Sequence, residues 1–438
     1  MTVLSEPRPA DAAPAPATRR RRSARTWLLF LGAVFVGLVL LRALTGERAI
    51  TSSGTFGATL ALGVPIGMAA LGGLWCERAG VVNIGLEGMM IFGTWGGAYG
   101  AYTTGNAWVG LVVGVAMGAL GGLLHAVATV TFGVDHIVSG VALNILAPGV
   151  ARYLSTIVFL GHEGGGANQS PPLPGFPKVS VPGVDGPLGD LEGHGWFFVS
   201  DLAGLVRGLT TDLSAVTLIA VALVPVTWFV LWRTAFGLRV RSCGENPYAA
   251  ESLGVRVYTM KYLAVIISGG LAGLGGVFLA MVGSSAYQEN QTGGRGFIGL
   301  AAMIFGNWRP GGLAAGTGLF GYTDALQQRG ATGAVHALLL VLAIGLFAFA
   351  ALQVWKAART PAAAGEAPAP AWRRFLRPAV AVVAGVLLLV WYLLTDELPK
   401  EIVTYSPHIT TLLVLTLASQ RLRMPAADGL RYRRGEGH

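Results

Sequence analysis

Charge is scarce in this sequence. Asp, Glu, Lys and Arg make up 12% of the 438 residues, against about 25% in a soluble globular chain. With 53% hydrophobic residues and a mean hydropathy of +0.59, that deficit excludes a water-soluble domain as the main body. Cysteine is rarer still. Cys76 and Cys243 are the only two, which excludes a disulfide-stapled scaffold or a Cys-rich metal centre. HExxH, clustered Cys/His ligands and the G-x-x-x-x-G-K-[ST] phosphate loop are all missing. The chain is therefore not read as an enzyme: no catalytic or metal-binding residue and no cofactor is assigned to it. His136, His162, His194, His336 and His408 are scattered and form no visible constellation.

What fills the chain is apolar sequence. A bilayer core takes about 20 residues of helix. Runs of that kind lie at 27–44, 55–75, 81–103, 107–131, 136–159, 213–232, 262–283, 296–306, 311–328, 334–355, 378–395 and 402–419. The run at 296–306 is short and reads as re-entrant. The expected fold is an all-α, polytopic membrane helix bundle of about 10–12 transmembrane helices, some short or broken.

The net charge of +9 is a topology signal. With the N-terminus in the cytoplasm, alternation places most of the 31 Lys and Arg on the inside. No nucleic-acid partner is inferred. Both cysteines then fall near the inner face as reduced thiols. Residues 1–26 read as a disordered cytoplasmic tail rich in Ala, Pro and Arg. The run from Trp27 has no clear cleavage site and reads as an uncleaved anchor. Residues 356–377 read as a linker, 378–419 as an accessory transmembrane pair, and 420–438 as a basic cytoplasmic tail.

Glycine is plentiful, at 64 residues. Gly110, Gly114, Gly118 and Gly122 recur every fourth residue and lay a small face along one helix, where a second helix can approach closely. GTGLFG at 316–321 matches G-x-G-x-x-G but lies in an apolar run with no preceding strand, so it reads as helix packing.

Polar residues inside apolar runs cost about 2.5–3.5 kcal/mol when ionisable, and persist where they face a cavity or a partner helix. Glu87 lies ten residues past Glu77, hence about 15 Å from the inner face by helical rise. Asn83 lies one turn below it on the same helical face. Two readings stay open: a structural hydrogen bond between helices, or a polar patch on a translocation path. Asp135 sits where a helix cap is wanted, and Asn144 lies deeper and needs a partner. Asn307, Trp308, Arg309 and Pro310 end a short run and suggest a hairpin or a discontinuous helix. Asn83, Glu87, Asn144 and Asn307 are the candidate path residues.

Two stretches lie outside the spans. Residues 161–212 are rich in Gly, Pro and acids, and fall outside the cell as a connecting loop or a docking surface for an external protein. Residues 233–261 are basic and fall inside. Within them GENPYAAESLG, residues 244–254, reads as a short helix with Asn246 as cap, Pro247 at the first position and Gly254 at the exit. Pro247, Ala249, Ala250 and Ser252 give it a small, smooth surface. That surface suits a protein groove; the competing reading is a helix lying on lipid.

ERAGVVNIGLEGMM, GVDHIVSGVALN, RSCGENPYAAESLGV and GFIGLAAMIFGNWRPGG occur in this order. Together they resemble the nucleoside and simple-sugar permeases of ABC importers, within the branched-chain amino-acid and ribose permease group. The likeness runs over roughly residues 55–355, and 27–355 is read as the permease transmembrane domain. The resemblance implies a bacterial plasma-membrane subunit for a nucleoside or simple sugar. It implies a second permease chain, an external substrate-binding lipoprotein, and a separate cytoplasmic ATPase that holds ATP and magnesium. Gly244, Glu245, Asn246, Pro247, Ala249, Ala250 and Gly254 match the family's coupling segment, which docks on that ATPase. The alternative is a secondary transporter driven by an ion gradient, with Glu87 as a proton site.

Overall fold

The computed structural model describes residues 24–330, 332–359, 371–399, 401–406, 409 and 422–435. Most of the N-terminal tail, the middle of the 356–377 linker and most of the 402–419 span lie outside the described residues.

Among the described residues the main helices follow in order: α1 Ala24–Thr45, α2 Ser53–Arg78, α3 Leu86–Thr104, α4 Ala107–Ala126, α5 His136–Val158, α6 Asp185–Gly193, α7 Val199–Thr210, α8 Ala215–Arg233, α9 Ala235–Glu245, α10 Pro247–Ser252, α11 Val257–Phe278, α12 Arg295–Phe305, α13 Pro310–Gln328, α14 Thr332–Arg359 and α15 Ala371–Leu394. Single π turns, Val127–Thr131 and Leu279–Gly283, extend α4 and α11. Seven helices among the described residues are long and apolar enough to cross a membrane. The one ribbon described pairs β1 (Lys178–Val179) with β2 (Leu213–Ser214).

Burial sorts the helices. In α2 and α11, 78% of the apolar window is covered by other helices; in the other five spanning candidates it is 33% or less. Those five leave apolar faces free for lipid, while α2 and α11 form the centre. Their sequences explain the difference. Gly118 of α4 faces α11 so closely that a Cβ there would lie 2.4 Å from the Gly269 carbonyl oxygen. Gly114 and Gly122 come similarly close, at 2.7 Å to the Gly93 carbonyl oxygen of α3 and 2.5 Å to the Val265 carbonyl oxygen of α11, as the four-residue spacing predicts. Gly321 of the GTGLFG run packs on the Thr59 carbonyl of α2, a packing role as expected.

Local chemistry sets several helix starts. The Asp135 carboxylate accepts from the Ile137 and Val138 N–H groups at 2.8 and 3.2 Å, so it caps α5. Asn246 Oδ1 accepts from the Ala249 N–H at 3.0 Å, Pro247 takes the first position of α10, and Gly254 follows with φ +80°. All three marks read from the sequence are in place.

One expectation needs correction. Residues 81–103 do not form one helix: after α2 the chain is unwound until α3 starts at Leu86. Asn83 and Glu87 therefore do not share a helical face. Residues 161–212 hold α6, α7 and strand β1, and Gly204 and Gly208 of α7 seat that helix on the start of α2.

Candidate functional site

The unwound segment, residues 79–85, and the half-length helix α12 meet in the middle of the bundle. Gly299 of α12 packs on Ile66 and Ala69, close to the midpoint of α2, a helix about 39 Å long. From there α12 runs to the same end of the bundle as α9 and α10. Glu87 joins the two broken elements. Its Oε1 accepts from the Gly294 N–H at 2.9 Å and its Oε2 from the Gly296 N–H at 2.6 Å. Glu87 also lies in the first turn of α3, so two helix N-termini direct their positive ends at one carboxylate. A Cβ on Gly296 would lie 2.6 Å from the Glu87 nitrogen, so this close approach requires glycine.

Unwinding frees backbone groups that water cannot reach inside an apolar bundle. Side chains from α4, α5 and α11 satisfy them. Lys261 Nζ donates to the Gly80 carbonyl at 3.2 Å. His136 Nδ1 accepts from the Val82 N–H at 3.2 Å, which places any proton of that neutral ring on Nε2. His125 Nε2 lies 3.0 Å from the Val82 carbonyl, and its Nδ1 lies 2.9 Å from Ser139 Oγ. The carbonyl can only accept, so Nε2 donates to it and, in the neutral ring, Nδ1 accepts from the serine. Asn144 spans the break. Its Nδ2 donates to the Ile84 carbonyl at 2.9 Å and its Oδ1 accepts from the Gly88 N–H at 2.8 Å. Asn83 is fully buried; its amide donates to Ser268 Oγ at 2.9 Å, and its oxygen has no partner among the described residues.

Three of the four candidate path residues, Asn83, Glu87 and Asn144, thus converge on the break. Asn307 does not. It lies in the α12–α13 turn at the α10 end, where its Oδ1 accepts from the Arg423 N–H at 2.8 Å. Asn307 and Trp308 both have positive φ, 53° and 52°, a costly conformation for a residue as large as Trp. Glu77 and Arg78 hold that turn. Trp308 Nε1 donates to Glu77 at 2.6 Å, and Arg78 donates to the Trp308 carbonyl at 2.6 Å.

Sequence reasoning missed His125, Ser139, Lys261 and Ser268, and found no arrangement among the histidines. His125 and His136 nonetheless meet at Val82. A polar side chain inside an apolar run was the available signal, and it applied to His125 as it did to Glu87.

The candidate coupling residues also separate. Gly244 is buried where a Cβ would lie 2.4 Å from the Arg78 carbonyl oxygen. Pro247 and Ala250 are buried as well. Glu245 and Ala249 are exposed, with Ser252 and Leu253, the last 85% exposed. The outward face of α10 is thus narrower than the sequence suggested, and an exposed leucine follows it. The cysteines are buried free thiols. Burial pushes Cys243 up to about 11, so it is neutral and unreactive at ordinary pH.

The family model described as the permease component of branched-chain amino acid transport systems matches residues 55–351, which take in every residue of the break. The chain belongs to this permease family. Similar curated permeases include the guanosine ABC transporter permease protein NupQ of Bacillus subtilis, 38% identical over 62% of this chain and 80% of that protein. The putative glucose ABC transporter permease protein TsgC13 of Haloferax volcanii is 36% identical over 64% and 78%. The nucleoside ABC transporter permease protein NupC of Lactococcus lactis is 35% identical over 61% and 79%. No solved structure matches this permease. The family match excludes α1, α15 and residues 422–435.

Proposed function

We propose that this permease is the membrane-spanning subunit of an ATP-driven importer and forms the path for a nucleoside or a simple sugar. The observation that carries the reading is the pair of broken helices joined by Glu87 at mid-bundle, in a chain 38% identical to a permease named for guanosine. Discontinuous helices that meet at the midplane line solute paths in transporters. On this reading Asn83, Glu87 and Asn144 shape the path by fixing the break. Residues 244–254 contact a separate ATPase through the outward face of α10. The N-terminus and α10 lie in the cytoplasm of a bacterial cell. A second permease chain and an external substrate-binding lipoprotein complete the assembly, and ATP with magnesium is held by the ATPase.

The ion-gradient reading has less support: both Glu87 oxygens already accept backbone N–H groups, so the geometry gives this side chain a fastening role between α3 and α12.

The test is uptake of radiolabelled guanosine, cytidine, ribose and glucose into proteoliposomes. They contain this chain, its partner permease, the ATPase and the binding lipoprotein. Uptake of at least one solute is expected to require ATP and to survive collapse of the proton gradient. The double variant Glu245→Arg with Pro247→Gly is expected to abolish it while still inserting in the membrane. Accumulation by this chain alone would overturn the reading.

A further inference from the structure

Residues 422–435 lie across the α10 end of the bundle as a strap with a turn at 426–429. The Arg423 N–H donates to Asn307 Oδ1 at 2.8 Å, the Ala426 N–H to Glu245 Oε2 at 3.3 Å, and the Ala427 N–H to the Gly244 carbonyl at 2.8 Å. The Tyr432 ring packs at a tilt against both Tyr248 of α10 and Tyr258 of α11, at centroid distances of 5.3 and 5.4 Å. Arg434 pairs with Glu251 at 3.3 Å. Between these ties Asp428 is buried beside Glu77 of α2.

The strap therefore grips two parts that the proposed function needs to move together. One is the coupling segment, held at Gly244, Glu245, Tyr248 and Glu251. The other is the α12–α13 turn, held at Asn307. A second route runs from Glu245 through Arg78 to the Trp308 carbonyl, but its ion pair is long, at 3.7 Å. The strap also stays on the inner side of α10: Ala249, Ser252 and Leu253 remain exposed beside it. It leaves the docking face open and backs that face onto the half-helix.

We propose that residues 422–435 are a transmission strap that carries displacement of the coupling segment to α12, and through Glu87 to the break in front of α3. The proposal rests on the reading of α10 as the contact with the ATPase. A demonstrated change at both ends is what such a link requires.

The test is hydrogen exchange of the assembled complex in lipid nanodiscs, with and without ATP and vanadate. It compares wild-type, a chain lacking residues 422–438, Tyr432→Ala and Tyr432→Phe. In wild-type, nucleotide is expected to change exchange in both α10 and α12. In the truncated chain and Tyr432→Ala, α10 still responds, while the α12 response falls about tenfold. Tyr432→Phe, which keeps the packed ring, restores it. Should truncation destroy folding, the two Tyr432 variants carry the comparison. An α12 response unchanged without the strap or the Tyr432 ring would overturn the proposal. So would loss of the α10 response in those variants alone, because the strap would then serve docking. Absence of an α10 response in wild-type would instead remove the coupling reading itself.

Discussion

The carboxylate of Glu87 closes a helix to which it does not belong: the amides of Gly294 and Gly296, at the start of α12, both donate to it. A half-length helix that begins inside an apolar bundle has unpaired N–H groups and a positive end. One buried carboxyl group, accepting both amides, ties α3 to α12 at the point where each begins.

Glu87→Ala should destabilise the purified chain in detergent by about 1.5–3 kcal/mol for each charged hydrogen bond lost. Glu87→Gln should fall between it and wild-type, since its amide offers a single acceptor. Thermal unfolding measures the order. An unchanged melting temperature with uptake lost would mean that Glu87 contacts solute and is not a fastener.

Asn144→Leu should free the Ile84 carbonyl and the Gly88 N–H together. Each unpaired buried group costs about 1–3 kcal/mol. Faster hydrogen exchange confined to residues 81–89 is the expected signature. Uniform protection would show that other groups satisfy the break.

Gly118→Ala tests the seam between α4 and α11. The added Cβ would meet the Gly269 carbonyl oxygen at 2.4 Å, backbone that cannot rotate away, so overpacking of about 1–3 kcal/mol is expected. Gly149→Ala in α5 is the control: nothing lies within 4 Å, and stability should hold or rise slightly.

The seating of the strap should weaken as pH rises. Burial, and then the neighbouring Glu77 carboxylate, raise Asp428 from 3.8 to about 9. A seated Asp428 keeps a proton that a released one gives up, so its contribution is full below about pH 4 and falls as pH climbs towards 9. Limited proteolysis within residues 422–435 should therefore speed up between pH 6 and pH 9. Asp428→Asn should flatten that dependence.

The sequence by itself determined the solvent, the helices and the short helix α10. Those properties are local. Apolar runs of sufficient length must be helical in lipid, and Asn246, Pro247 and Gly254 mark the ends of α10 through their own backbone preferences and one short hydrogen bond. Asp135 was legible as a cap for the same reason. The mid-bundle position of Glu87 was also anticipated, though by helical rise along a helix that is in fact broken. Only the tertiary structure decided that break, because residues 79–85 are as apolar as the helices around them. Their unwound form is held by His125, His136, Asn144, Lys261 and Ser268, whose partners lie 43 to 185 residues away in sequence. It likewise set Asn307 apart from the other three path residues and brought Arg423, Asp428 and Tyr432 back under α10. No local pattern encodes which distant donor meets which freed carbonyl; packing of the bundle does, since an unpaired group in its apolar interior is too costly to leave.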